Sequence, residues 1–334
     1  MKIAYVISES YSVNKFNGIR MQAETWAKEL HAQGEEVIKI NPWEKYDWEQ
    51  FDIIHIFGPC EFILNFTKGV SKRMHRIVFS PIIDTIQSVF KYKIATHWGL
   101  SKLRLASPNY TIRQARKYIK CWIVRSQYEQ NYVHGAYGIP LEQISIIPLS
   151  FRMNAHKINV ERENFCLHVS KLTDERKNVK RLIQAAIKFN FNLVLAGGIS
   201  CDKDFEELKE LIDSHDNVRY LGRISDKFLE ELYSKAKVFA LPSINEGVGL
   251  VAVEAAASGC DIVITQKGGP KEYYAGMAKI VNPYDIDEIG KAILYFLNGN
   301  TYQPALKKYV EDNFNIKCGV KNLKVCYQSV IEKW

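Results

Sequence analysis

Short apolar runs alternate with amphipathic segments along the whole chain. In the first half the runs fall at Ile3–Ser8, Glu36–Ile40, Asp52–Gly58, Arg76–Ile82, Cys121–Ser126 and Ile144–Leu149. Their length and β-branched content predict strands. Helical periodicity fills the gaps, most clearly over Arg20–Gln33, Glu61–Arg73 and Gln127–Tyr137. The second half repeats the pattern. Strands are predicted at Phe165–Lys171, Asn192–Ala196, Val218–Gly222, Val238–Pro242, Asp261–Gln266 and Ala278–Val281, and helices at Val179–Phe189, Phe205–Ser214, Lys227–Ala236 and Leu250–Ser258. Strands so continuously apolar belong to parallel sheets covered on both faces. Two βαβ arrays predict an α/β chain of two Rossmann-like, doubly wound domains. The polar, aperiodic stretch Phe151–Glu163 sets the boundary, giving domains over 1–150 and 151–314. A last helix, from about Asn315 to Trp334, is expected to pack back on the first domain. Ligands of open α/β sheets bind at the carboxyl ends of the strands, so two such domains are expected to face a central cleft.

Composition adds limits. The 334 residues suffice for two ordinary α/β domains. No apolar run approaches the length of a transmembrane helix, and MKIAYVISES reads as a buried strand, not a signal peptide. Seven scattered cysteines, an odd number without a CxxC pair, fit reduced thiols and a cytoplasmic protein. They argue against a disulfide framework or a zinc site.

Charge is uneven. Between Lys68 and Arg125 stand 13 Lys or Arg and one acid, Asp84, a local excess above the +8 of the whole chain. Aromatics are interleaved there: Phe79, Phe90, Tyr92, Trp98, Tyr110, Tyr118 and Trp122. The region is either a solvated basic face or a contact for an anionic membrane or phosphorylated lipid. Nucleic-acid binding has no recognition motif to support it.

The most informative stretch is SINEGVGLVAVEAAASGCDIVITQKGGPKE, Ser243–Glu272. Glu246 precedes the turn Gly247-Val248-Gly249, a helix of small residues follows, and Glu254 sits in that helix eight positions after Glu246. A helix opening at a glycine turn directs free N–H groups and the positive end of its dipole outward, which makes an anion site. Helical side chains tilt toward the N-terminus, so Glu254 is expected to reach back to the same place. Phosphates on the amides and sugar hydroxyls on the carboxylates together describe a nucleotide sugar.

These residues resemble the family 4 retaining glycosyltransferases of GT-B fold. NGIRMQAETWAKELHAQGEEV (Asn17–Val37) looks like that family's first glycine loop, helix and second strand, and DIIHIFGP (Asp52–Pro59) like its third strand. VRSQYEQNYVHGAYGIPLEQISIIPLS (Val124–Ser150) is similar to the segment closing the first domain. LHVSKLTDERKNVKRLIQAA, LVLAGG, VRYLG and SINEGVGLVAVEAAASG follow in the family's order. The resemblance covers nearly the whole chain. Its Glu-x7-Glu motif falls on Glu246 and Glu254, and implies donor-sugar contact for the first and ribose contact for the second. A carboxylate accepts from two hydroxyls at once, which suits a vicinal diol. The plain alternatives are a helix-start acid at Glu246 and a surface residue at Glu254.

The same resemblance puts the amides of Gly247, Val248 and Gly249 on the sugar or phosphate, and Gly198 on the cleft wall. It places Lys171 and Lys177 on the donor diphosphate. Relatives carry Arg where this chain has Lys171, which lacks the bidentate guanidinium fork; Arg176 is a candidate to share the task. Gly18 resembles the glycine that approaches the reacting sugar, with Asn17 and Arg20 beside it as acceptor or phosphate contacts. Many relatives have a histidine near Ser80–Asp84; this chain does not, and Asp84 is the local polar candidate. Glu272 starts a further helix and either reaches the sugar or caps that helix. His55, inside an apolar strand, reads as a core or cleft-edge histidine. Asp285-Ile286-Asp287 is a formal DxD, but it opens a helix, where acids serve as caps. No metal or cofactor is expected.

The resemblance thus implies a metal-independent hexosyltransferase. It would use a UDP-, GDP- or ADP-sugar and a glycan or lipid-linked acceptor, with peripheral membrane contact through residues 68–125 and no nucleic-acid partner. A catalytically silent GT-B subunit and a GT-B-type epimerase or phosphorylase are the competing readings.

Overall fold

The protein is described by a computed structural model covering residues 1–7, 18–60, 62–100, 105–152, 161–200 and 203–334. Asn17 therefore lies outside the described residues. By internal contacts the chain divides into two units: 1–83 with 87–150 and 316–334, and 84–86 with 151–315.

The first unit holds β1 (Lys2–Ile7), α1 (Gly18–Ala32), β2 (Glu36–Lys39), β3 (Ile53–Phe57), α2 (Ile63–Val70) and β4 (Ile77–Ser80). It continues with α3 (Val89–His97), the short strands β5 (Gly99–Leu100) and β6 (Leu105–Ala106), α4 (Pro108–Ala115), β7 (Cys121–Val124), α5 (Gln127–Tyr137) and β8 (Ile144–Ile146). Six strands form a parallel sheet in the order β2-β1-β3-β4-β7-β8. β3, β4 and β7 are buried at every position, as a sheet covered on both faces requires. β5 and β6 pair antiparallel. The sequence pattern did not predict α3, α4 or this pair; the apolar positions of α3 lack a clean period.

The second unit holds β9 (Glu163–Val169), α6 (Val179–Phe189), β10 (Leu193–Ala196), α7 (Glu206–Asp213), β11 (Val218–Tyr220), α8 (Asp226–Lys235) and β12 (Ala236–Leu241). α9 (Leu250–Ala257), β13 (Asp261–Thr265), β14 (Lys279–Val281), α10 (Ile286–Leu297) and α11 (Ala305–Phe314) complete it. Its parallel sheet runs β11-β10-β9-β12-β13-β14, with the strand order reversing between β9 and β12. That reversal is the topological switch point where open α/β sheets take ligands.

The last helix, α12 (Ile316–Lys333), belongs to the first unit. Val320, Leu323, Tyr327 and Val330 recur at helical spacing and are buried. Tyr327 joins a buried polar chain in the sheet. Its hydroxyl lies 3.3 Å from Tyr5 Oη and 2.6 Å from His55 Nδ1, and His55 Nε2 lies 2.8 Å from Ser80 Oγ. His55 is thus a core histidine with both nitrogens partnered, and burial pushes its pKa well below the ordinary value. No helix among the described residues is long and apolar enough to cross a membrane.

Candidate functional site

The carboxyl ends of β9 and β12 carry the two loops that matter. After β9 the chain turns through Lys171 and Lys177 into α6; after β12 it passes Ser243 and Glu246 into α9. Lys177 Nζ donates to Glu246 Oε2 at 2.7 Å, and Ser243 Oγ donates to the same oxygen at 3.2 Å. Both members of the ion pair keep some exposure, 21% and 15% of their side chains. A cation and an anion are therefore held together at the switch point, open enough to meet a ligand.

Backbone bonds fix this pair. Asn178 adopts a left-handed conformation, φ +60°, at the start of α6. Its buried Nδ2 donates to Pro242 O at 2.9 Å and Pro283 O at 2.6 Å. Ile244 N donates to Arg176 O at 2.8 Å. One asparagine thereby stitches the lysine loop to the glutamate loop. Sequence reasoning passed over Asn178; an asparagine between a cationic turn and a helix start was the available signal, since Asn tolerates left-handed backbone.

The glycine pairs serve the same geometry. Glu246 forms a parallel bridge to Gly268, and Gly269 N donates to Glu246 O. Gly268 has φ +95°, and a Cβ there would stand 1.8 Å from Glu246 O. No other residue permits this approach. Gly249 caps α9 with φ +72°, whereas Gly247 has no positive φ. Gly198 lies under the exposed guanidinium of Arg223; a Cβ on it would stand 3.1 Å from Arg223 Nη2. Arg223 is a cation at the carboxyl end of the sheet that the motifs did not single out.

Lys171 is exposed. Arg176 is bound to its own turn, Nε to Asp174 Oδ1 at 3.1 Å and Nη2 to Asp174 Oδ2 at 2.7 Å. That hydrogen-bonded acid raises its pKa further. Behind the lysine turn, His168 on β9 is fully buried. Its Nδ1 lies 2.8 Å from Ala240 O and its Nε2 2.7 Å from Ser170 Oγ. Burial first, then the Lys177 charge, push its pKa down to about 4, against the opposing Ala240 carbonyl.

Glu254 sits differently. It is fully buried in α9, and Oε1 accepts from Arg152 Nε at 2.9 Å. Its other oxygen, Oε2, is buried without a partner among the described residues, as is Tyr233 Oη. Burial raises the Glu254 pKa and the arginine opposes that rise. Arg152 was missed because it opens the aperiodic boundary stretch, where no pattern marked it.

The remaining candidates lie on other elements of the two units. Gly18 opens α1, and among the described residues nothing stands within 4 Å of where a Cβ would point. Arg20 Nε binds Glu24 Oε1 at 2.8 Å. Val248 is buried; Glu272 is exposed in the short 3-10 turn Pro270–Tyr273. Asp84 groups with the second unit and adds to the negative field on Arg176. In the DxD, Asp285 caps α10 by accepting from the amides of Asp287 and Glu288, and Asp287 pairs with Lys188.

A model of the glycosyl transferases group 1 matches residues 152–313, the span that carries this geometry. An uncharacterized glycosyltransferase of Methanocaldococcus jannaschii is 25% identical over 81% of this chain and 72% of its own length. The O-antigen chain mannosyltransferase B of Escherichia coli is 27% identical over 44% of this chain, which spans only 40% of that relative. Among solved structures, sucrose-phosphate synthase from Thermosynechococcus elongatus aligns over 100% of both chains at TM-score 0.78 and 16% identity. Anabaena HepE in complex with UDP covers 98% of this chain and 100% of its own at TM-score 0.74 and 18% identity. At such identities the likeness is one of fold, and the fold is GT-B. The match over residues 152–313 and the glycosyltransferase relatives support a glycosyltransferase.

Proposed function

We propose that the protein is a retaining, metal-independent hexosyltransferase. It moves a hexose from a nucleoside-diphosphate sugar to an acceptor hydroxyl. The observation that carries this reading is the Lys177–Glu246 pair at the switch point of the second sheet, 2.7 Å apart. The lysine faces the diphosphate and the glutamate accepts from sugar hydroxyls. Lys171, Arg176 and the amides of Gly247, Val248 and Gly249 complete the donor contacts, with Gly18 and Gly198 close to the donor and Glu272, Arg20, Asn17 and Asp84 offered to sugar or acceptor. Ribose hydroxyls donate to Glu254 Oε2, the carboxylate oxygen left unpartnered. In this reading residues 151–314 hold the donor and residues 1–150 the acceptor.

The chemistry follows from charge. The C1–O bond to the diphosphate breaks as the acceptor oxygen approaches the same face, through an oxocarbenium-like state. The departing phosphate oxygen takes the acceptor's proton, so no protein base is required. The protein stabilises the charge on the leaving group and fixes geometry. HepE complexes with UDP and UDP-glucose support a nucleotide-sugar donor. O-antigen mannosyltransferase relatives support surface polysaccharide or glycolipid synthesis at the cytoplasmic membrane face.

A thermal-shift panel of UDP-, GDP- and ADP-sugars tests the donor. At 100 times its dissociation constant the true donor stabilises by about 2.7 kcal/mol. Glu246→Gln should abolish most of that shift; an equal response from wild type and variant sinks the assignment.

A further inference from the structure

The solvent side of α3 is inverted in polarity. Tyr92 and Thr96 point inward. Tyr92 Oη contacts Tyr137 Oη and Asn109 Oδ1, each at 3.1 Å, and Thr96 Oγ1 donates to Ala136 O at 3.1 Å. At about 100° per residue the opposite crest falls on Phe90 and Ile94. They are 72% and 48% exposed, and Trp98, just past the helix end, is 78% exposed. Lys91 and Lys93 stand exposed on the two shoulders of this crest. A surface helix normally turns polar residues to water. Here three large apolar side chains face it, beside an open groove of about 1390 Å³ lined by Gln87, Ile94, Ala95, Trp98 and Ser107.

We infer that α3 is a docking helix for an anionic lipid surface, with Phe90, Ile94 and Trp98 entering the boundary between headgroups and acyl chains and Lys91 and Lys93 meeting lipid phosphates. Charge complementarity selects this occupant. The sequence from 68 to 125 carries one acid against 13 basic residues. Several of those cations are committed internally: Arg113 and Arg116 donate to the carbonyls of Ala136 and Tyr137, and buried Arg125 binds Glu129. The lysines flanking the apolar crest remain at the surface. Lysine is depleted in the cores of protein interfaces, whereas apolar anchors between lysines are the pattern of helices lying in a lipid interface. The inference rests on this helix and not on the donor reading.

Co-sedimentation with vesicles tests it. The protein should bind phosphatidylcholine vesicles containing phosphatidylglycerol, bind pure phosphatidylcholine far less, and detach as salt rises. The double variant Phe90→Ser/Ile94→Ser should lose about tenfold or more in partitioning, with circular dichroism and Tm unchanged because both sites are exposed. Lys91→Gln/Lys93→Gln should lose about 30-fold on the anionic vesicles. A vesicle-induced blue shift of tryptophan emission should disappear in Trp98→Phe. Absence of vesicle binding overturns the inference. So does wild-type binding by the Phe90/Ile94 variant, or a self-association on gel filtration that this variant abolishes while no vesicle binding is seen.

Discussion

Arg152 Nε donates to Glu254 Oε1 at 2.9 Å, while Oε2 of the same carboxylate is buried with no partner among the described residues. The two members are not equally placed: Arg152 keeps 37% of its side chain exposed and Glu254 keeps none. Removing the arginine strands a buried carboxylate; removing the carboxylate leaves an arginine that water can reach. Arg152→Ala should therefore cost about 2 kcal/mol at neutral pH, and Glu254→Gln less than about 1 kcal/mol. The pH dependence has a definite sign. Burial holds the Glu254 pKa above 4.5 in the folded state, and loss of Arg152 raises it further. A raised folded pKa favours folding at low pH and loses that contribution as pH rises through the folded value. The penalty of Arg152→Ala should shrink on acidification toward pH 4.5, measured by urea unfolding at several pH values against wild type.

Lys177 and Glu246 form the pair on which the proposed chemistry depends. In the proposed reaction Lys177→Ala takes away the cation assigned to the departing diphosphate, a loss expressed mainly in the transition state. Transfer should fall by about 10² to 10³ in kcat. Both side chains are partly solvated, so stability should move by less than about 1 kcal/mol. Steady-state kinetics beside thermal unfolding separate the two effects; a proportionate loss of both would make the pair merely structural.

Lys171 stands exposed where the resemblance leads one to expect arginine. A guanidinium grips phosphate through two parallel hydrogen bonds, and an ammonium does not. Lys171→Arg should tighten nucleoside-diphosphate binding by roughly three- to tenfold, equivalent to about 1 kcal/mol. Calorimetric titration with UDP and GDP decides it. Unchanged or weaker affinity would remove Lys171 from the diphosphate site.

The sequence was most legible where packing alone sets the pattern. Val179–Phe189 and Gln127–Tyr137 match the observed helices residue for residue, and every predicted strand exists, most of them a residue or two shorter. Those elements bury one stripe or both faces, so hydrophobic spacing reports them directly. α3 escaped because its outward crest is apolar and blurs the period. Within the site, Glu246 and Lys177 were visible because each lies in the turn that follows a strand. The partnership of Glu254 with Arg152 was not visible. It depends on a tertiary contact across 102 positions of chain, between a helix and an aperiodic stretch.

Gly268 is a position where one methyl group should be decisive. Its φ of +95° already disfavours a side chain, and an alanine Cβ would meet Glu246 O at 1.8 Å. The bridge that aims Glu246 must then separate. Gly268→Ala should destabilise the protein by about 2 kcal/mol or more and lower donor affinity with it. Gly276→Ala is the control: φ is +81°, but among the described residues nothing stands within 4 Å of the added atom. It should cost only about 1 kcal/mol and leave donor binding intact. Equal effects of the two variants on donor affinity would show that Gly268 does not aim Glu246.

His168 makes the second unit sensitive to acid. Its folded pKa is pushed from 6.5 to about 4 by burial, aided by the charge of Lys177. Between those values the unfolded chain binds a proton that the folded protein refuses, so stability falls as pH drops from about 6.5 to about 4 and is fully present above that window. This residue alone accounts for about 3 kcal/mol across the window. His55, also buried with a depressed pKa, adds to the loss with the same sign. Carboxylates titrate in the same range, so the decisive quantity is the difference between wild type and His168→Gln. The variant keeps an uncharged donor and acceptor near Ala240 O and Ser170 Oγ and cannot take up a proton. Urea midpoints measured from pH 4 to pH 8 should converge as pH falls, the wild type losing its advantage below about 6.5. Parallel curves would mean that His168 accepts a proton in the folded state as readily as in the unfolded one.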